Sequence, residues 1–253
     1  MATFGSPRET WDARYAEPEY LFGEAPNAFV RRTAPRYLAA GQSALCVADG
    51  EGRNSVWLAG RGLDVEAFDI SDVGVAKARA LAAEQGVSVN FAVSDCDAYA
   101  WTPGAYDGVA AIFVQFADPA MRARLFANLI RCLKPGGTLV LQAYTPKQLD
   151  SRTGGHPHVS HLYKDADSLT KGKADGKGRA LTRCLGTEEC REDGARPQTA
   201  AHAAPPGDRA RTRRLGRRVA YAQGACVDRV SGGGRSGVAR PIGIVALERS
   251  ERR

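Results

Sequence analysis

Residues 45–54 read "LCVADGEGRN", an apolar run that breaks into a turn carrying two glycines, Gly50 and Gly52. The run belongs to "ALCVA" (44–48), short and continuously apolar, as expected of a strand buried on both faces. Downstream, "NSVWLAGRG" (54–62) places Val56, Leu58 and Ala59 on one helical face, with Gly62 as its stop. "VEAFDI" (65–70) reads as the next strand. A helix over 71–86 follows, with Ser71 as cap, an Ala-rich body and a terminal Gly86.

The same alternation continues. "VSVNFAVSD" (87–95) repeats Val87, Val89, Phe91 and Val93 with a period of two, a third strand. "YDGVAAIFVQF" (106–116) is a fourth. "DPAMRARLFANLIRCL" (118–133) opens with Asp118 as N-cap and Pro119 in the first turn. Its Met121, Leu125, Leu129 and Leu133 form an amphipathic stripe. "KPGG" (134–137) stops that helix, and "TLVLQAY" (138–144) is a fifth strand. The order predicts an α/β chain: a Rossmann-like, doubly wound, mostly parallel sheet with helices on both faces.

Composition agrees with a globular chain. Of 253 residues, 43% are hydrophobic and 25% charged, and no apolar run approaches the roughly 18 residues of a membrane span. The stretch "MATFGSPRETWDARY" (1–15) has no apolar core of a secretory signal. The six cysteines form no CxxC pair. A reducing, cytoplasmic setting is expected. The net charge of +7 is unevenly spread. Residues 1–163 hold 15 Lys and Arg against 17 Asp and Glu, a net of −2, whereas 164–253 hold 20 against 11, a net of +9. Every Trp and Phe precedes Tyr163.

In such a sheet ligands bind beyond the carboxyl ends of the strands. "DGEG" (49–52) follows the first strand, its glycines allowing tight turning and close backbone approach. Amides opening the next helix suit a polar or anionic group. Asp69 ends the second strand, 19 residues after Gly50, where a carboxylate can accept both hydroxyls of a ribose. Asp95 ends the third, positioned for an adenine amino group, with the Cys96 amide nearby. Either aspartate alone is as readily a helix cap; the three together point to a nucleoside. A dinucleotide asks for a further glycine where this chain has Ser55. S-adenosylmethionine has no pyrophosphate and asks for none, and Glu51 sits better beside an amino-acid group than beside a diphosphate. S-adenosylmethionine is favoured over NAD.

Residues 11–163 resemble class I S-adenosylmethionine-dependent methyltransferases, most closely the branch around the tellurite-resistance and thiopurine methyltransferases. The resemblance is carried by "WDARY" (11–15), "FGEAPNAFV" (22–30), "LCVADGEGRNSVWLA" (45–59), "VEAFDIS" (65–71), "VSDCDAYAW" (93–101), "YDGVAAIFVQF" (106–116), "LKPGGTLVLQAY" (133–144) and "GGHPHVSHLY" (154–163). The chain departs from the family's first motif at two places. Cys46 stands at the usual acidic position and Ala48 at the first glycine. Asp49 is the candidate to take over part of the missing carboxylate's role.

The resemblance implies a cofactor site at Ala48, Asp49, Gly50, Glu51, Gly52 and Asn54. It adds Asp69 with Ile70 for the ribose, Asp95 and Cys96 for the adenine, and Phe113 beyond the fourth strand. It also implies a lid over residues 1–40, with Trp11, Tyr15, Tyr20 and Phe22 covering cofactor and substrate, and substrate contacts at Gln115 and Phe116. The plain alternative for these aromatics is packing on the sheet. Methyl transfer is an in-line displacement on an already activated carbon, so no catalytic acid or base is nominated. His156, His158 and His161 lack flanking ligands at metal spacing and read as a substrate loop, not a metal site.

The sequence thus divides into a lid (1–40), a cofactor-binding core (41–163) and a basic Arg/Gly/Ala-rich tail (164–253). The family's two remaining strands are expected to be missing or altered, and only "PIGIVALE" (241–248) looks strand-like. Three readings of the tail compete: a basic arm for nucleic acid or an acidic partner, a diverged completion of the sheet, or a shifted reading frame. The compositional bias favours the last, which leaves the fifth strand with a bare edge. The functional expectation is a methyltransferase acting on a small thiol, thiopurine or chalcogen oxyanion. Its rivals are a non-catalytic S-adenosylmethionine-binding protein with a nucleic-acid-contacting tail and an NAD-linked oxidoreductase.

Overall fold

The computed structural model describes residues 6–144 and two further strands, 182–189 and 242–249. Helices α1 (Pro7–Tyr15) and α2 (Ala28–Tyr37) precede strand β1 (Ser43–Val47). Then come α3 (Arg53–Gly60), β2 (Asp64–Asp69), α4 (Asp72–Glu84), β3 (Asn90–Val93), β4 (Tyr106–Ile112), α5 (Pro119–Arg131) and β5 (Leu133–Ala143). Strands β6 (Thr182–Glu189) and β7 (Ile242–Arg249) complete one sheet in the order β3-β2-β1-β4-β5-β7-β6. Strands β1 to β5 are parallel, and β7 runs antiparallel to both β5 and β6. The doubly wound α/β architecture is the expected one.

Strand β1 shows why its sequence is apolar throughout. Ala44 and Cys46 enter one apolar group with Val30 and Ala34 of α2 and Leu58 of α3. Leu45 and Val47 enter the other with Phe68 and with Leu125 and Leu129 of α5. Successive side chains point to opposite faces, and both faces are covered. Each fully buried Leu contributes about 1.5–3 kcal/mol. The helix starts follow their caps: Ser71 accepts from Gly74 N (2.9 Å) and Asp118 from Met121 N (2.8 Å).

Several expectations shift. Helix α5 ends at Arg131, so of its stripe Leu125 and Leu129 are buried on the helix while Leu133 opens β5. "KPGG" is no terminating turn but a bulge inside β5: Tyr106 pairs with Leu133 and Gly108 with Thr138, so 134–137 oppose Asp107 alone. Lys134 closes the bulge on Asp107 at 2.7 Å. Gly137 is required there, because a Cβ would stand 2.9 Å from the Lys134 carbonyl. Strand β4 stops at Ile112 because Phe113 turns to φ +59°. The 1–40 segment is not all cover: Phe29, Val30, Thr33 and Ala34 of α2 are buried against the sheet.

The bare β5 edge is also corrected. Residues Thr138–Ala143 pair with Glu248–Ile242 of β7, one residue along from the strand read at 241–248, and β7 pairs in turn with β6, which was not anticipated. The rest of 164–253, and His156, His158 and His161, lie outside the described residues. Among the described residues no helix is long and apolar enough to cross a membrane.

After β3 the chain returns to the far side of β1 to lay down β4. The strand order reverses there, and the crevice opens at the carboxyl ends of β1 and β4.

Candidate functional site

The turn after β1 places positive φ at alternate residues: Ala48 (+50°), Gly50 (+62°) and Gly52 (+86°). Ala48 stands in a conformation that favours glycine, at a cost of about 1–2 kcal/mol. The other positive-φ residue with a side chain among those described is Phe113, at the end of β4. The two strained residues thus flank the crevice, where such strain gathers around ligand sites.

Between them lies a cavity of about 460 Å³, counting its open mouth. Val47, Ala48, Asp49 and Gly50 form one wall, and Ala110, Ile112 and Phe113 form the opposite one. Arg53 and Asn54 from the first turn of α3 close the floor, and Tyr15 and Phe22 cover it. Tyr15 is held close: a Cβ at Gly50 would stand 2.6 Å from its hydroxyl, and one at Gly74 2.9 Å from its ring. Burial first, then the nearby Asp69 and Glu51, push its phenol well above the usual range. Phe113 stacks on Tyr144 at 4.8 Å.

The carboxylates have distinct tasks. Asp69 accepts from Gly50 N and Ser71 N, both at 2.9 Å, tying the turn to β2. A carboxylate has about four acceptor positions, so it keeps capacity for a diol. Asp49 faces the cavity, and Ser55 N donates to it at 3.4 Å. Burial raises its carboxyl to about 7, against hydrogen bonds from Ser55. Gly52 packs against Ala78 so closely that a Cβ would stand 2.6 Å from the alanine's. Ser55, at the place of a dinucleotide fold's third glycine, is buried, and its hydroxyl donates to the Gly52 carbonyl at 3.1 Å.

Ala48, Asp49, Gly50, Asn54, Phe113, Tyr15 and Phe22 therefore meet in one cavity. Others expected there do not. Glu51 points away: Lys77 pairs with it at 2.5 Å, and Leu21 N donates to it at 2.7 Å. Lys77 also donates to the carbonyls of Glu17 and Glu19, so this ion pair staples the cover segment to the turn. Tyr20 donates to the Lys77 carbonyl and packs near Val56 and Leu81. Trp11 stacks outside Tyr15 at 5.3 Å. Gln115 is buried, donating to the Tyr144 carbonyl, and Phe116 packs in the core with α5. Asp95 accepts from Asp97 N and Ala98 N, closing the turn that follows β3, and Ile70 N donates to Asp69. Cys96 is buried, its thiol raised to about 12, and its carbonyl accepts from Trp101.

Sequence reasoning missed Arg53, although it lies inside the "DGEGRN" run. Its guanidinium donates to the Phe22 carbonyl at 2.9 Å and stands over the Phe22 ring. It also missed Asp12 as a brace: Asp12 accepts from Ser71 Oγ (2.5 Å) and Val73 N (3.3 Å), docking α1 on the start of α4. Among the described residues no cluster of His, Cys, Asp and Glu is arranged to hold a metal.

The donor set fits a nucleoside joined to an amino acid. Asp69 suits a ribose, the glycine turn allows backbone approach, and the cavity lining holds one carboxylate, Asp49, and one guanidinium, Arg53.

Residues 44–137 match a family described as "Methyltransferase domain". No curated protein matches the chain. Among solved structures, the chain is similar to a SAM-dependent methyltransferase from Methanosarcina mazei: TM-score 0.56, 15% identity, covering 90% of this chain and 100% of that one. A TehB-like SAM-dependent methyltransferase from Corynebacterium glutamicum gives 0.52 and 13%, covering 88% of each chain. Phosphoethanolamine N-methyltransferase 2 from Haemonchus contortus, in complex with S-adenosyl-L-methionine, gives 0.56 and 21%, covering 74% of this chain and 46% of that one. At these identities the likeness is one of fold. The match over 44–137 likens that stretch, less than half of the chain, to a methyltransferase domain.

Proposed function

We propose that this chain is an S-adenosylmethionine-dependent methyltransferase acting on a small acceptor of the thiol, thiopurine or chalcogen-oxyanion class, in the branch around the tellurite-resistance and thiopurine enzymes, and that it works in the cytoplasm. The observation that supports it is the cavity at the reversal of strand order, walled by Tyr15, Phe22 and Phe113 and holding one carboxylate, Asp49.

The cofactor supplies a methyl group already activated by a sulfonium. The chain's task is to align an acceptor within about 3 Å of that carbon and to keep water out. Tyr15, Phe22 and Phe113 line the cavity with apolar ring surface that displaces water. The Tyr15 phenol stays protonated, because burial and two carboxylates oppose its ionisation. A soft nucleophile with an appreciable anionic fraction at neutral pH reacts without a dedicated base, which suits this lining.

The test is a turnover screen with S-adenosylmethionine against thiols, thiopurines and chalcogen oxyanions, following S-adenosylhomocysteine release. Turnover with one of these classes is expected. Turnover confined to amines or alcohols would overturn the acceptor class while leaving the methyltransferase standing.

A further inference from the structure

The amino-acid end of S-adenosylmethionine is a zwitterion, an ammonium beside a carboxylate. The cavity lining holds one carboxylate and one guanidinium, Asp49 and Arg53, at the tip of the same turn and the first residue of α3. We infer that these two side chains divide the zwitterion between them: Asp49 accepts from its ammonium, and Arg53 donates to its carboxylate.

The other acidic groups around the turn are committed elsewhere. Cys46 replaces the family's acid and is buried in an apolar group on β1. Glu51 is held by Lys77 and by Leu21 N. Asp69 accepts backbone donors beyond the cavity. The missing carboxylate therefore reappears three residues along, and at the cavity. Arg53 is pre-oriented by its bond to the Phe22 carbonyl, which leaves further guanidinium donors for a ligand. A charged hydrogen bond to each end fixes the methionyl chain and so the direction of the methyl group.

A pH signature follows. The groups facing Asp49 are Arg53, Asp69, the Tyr15 phenol and the Cys46 thiol, with Ser55 donating to it. Burial holds its carboxyl at about 7, and an ammonium beside it favours the ionised form. Affinity for the amino-acid end therefore rises as pH passes upward through about 7.

This inference rests on the S-adenosylmethionine reading, and its test separates the two. Calorimetry on the full chain compares three thioether probes: S-adenosylhomocysteine, with both charges; decarboxylated S-adenosylhomocysteine, with the ammonium alone; and 5′-methylthioadenosine, with neither. Asp49→Asn is expected to weaken the first two about tenfold and to leave 5′-methylthioadenosine within about twofold. Arg53→Gln is expected to weaken S-adenosylhomocysteine alone. The rise in S-adenosylhomocysteine affinity between pH 6 and 8 should vanish in Asp49→Asn. Equal weakening of all three probes, or of none, overturns the inference, since a structural fault in the turn acts on every probe alike. Wild-type protein that binds none of the three overturns the cofactor reading itself.

Discussion

Strand β1 is written "SALCV" and strand β6 "TRCLGTEE", yet both belong to one seven-stranded sheet. The first is paired on both sides, and side chains cover both its faces. Its one polar residue, Ser43, stands at the entry with its hydroxyl bonded to Asp107 at 2.8 Å, and Ala44 to Val47 are buried and apolar. The second pairs with β7 and ends the sheet among the described residues. An edge strand answers to a different demand, because charges along it deter pairing with another chain. The same ladder hydrogen bonds thus support opposite compositions, and an apolar pattern marks β1 but not β6.

The comparison can be broken from either side. Leu129→Ala empties a fully buried position under the inner strands and should cost about 2–5 kcal/mol in urea denaturation. A loss below about 1 kcal/mol would mean that α5 does not seal that face. On the outer half, Val245→Pro falls in β7, opposite Val140 of β5 and Gly186 of β6. It removes a ladder donor and should cost about 3 kcal/mol. A silent substitution would return β5 to the edge of the sheet and make the tail's strands dispensable.

Smaller effects sharpen the account of the turn. The Asp49 carboxyl sits near 3.8 in an unfolded chain and near 7 in the fold. The folded state holds that proton more tightly, so its contribution to stability is complete below pH 4 and is lost as pH rises to about 7. Asp49→Asn should therefore match the wild type at pH 4 and exceed it by about 1 kcal/mol at pH 8, allowing for solvent screening. Equal stabilities at both pH values would refute the burial of that carboxyl. Finally, Ala48→Gly relieves a positive φ and should raise stability by about 0.5–1 kcal/mol, read as a shift in the denaturation midpoint. A loss would show that the Ala48 methyl packs favourably enough to outweigh its strain.

Much of the inner fold was legible because its signals are local. Ser71 and Asp118 cap the helices they precede, and β1, β2 and β4 lie where their apolar runs stand. "KPGG" misled because two glycines after a helix look like a stop, whereas here Gly137 admits the Tyr106 and Asp107 carbonyls of a neighbouring strand. Strand β6 left no signal, since its pairing comes from β7, 53 residues further along. In the site, Asp49 and Gly50 were legible from the turn, but Glu51 between Asp49 and Gly52 was not. Its direction depends on Lys77 of α4, which arrives from the next helix.

By itself, the sequence determined the order of strands and helices from β1 to β5, the caps of α4 and α5, and the carboxyl-end turns at which a nucleoside cofactor can bind. These follow from periodicity and from backbone preferences that act within a few residues. Only the tertiary structure decided which side chains of one short turn face the cavity. Asp49 and Arg53 do, while Glu51 is drawn outward to a lysine 26 residues away. Neighbouring residues in a turn point in different directions, and the partners that choose among them come from elements distant in the chain.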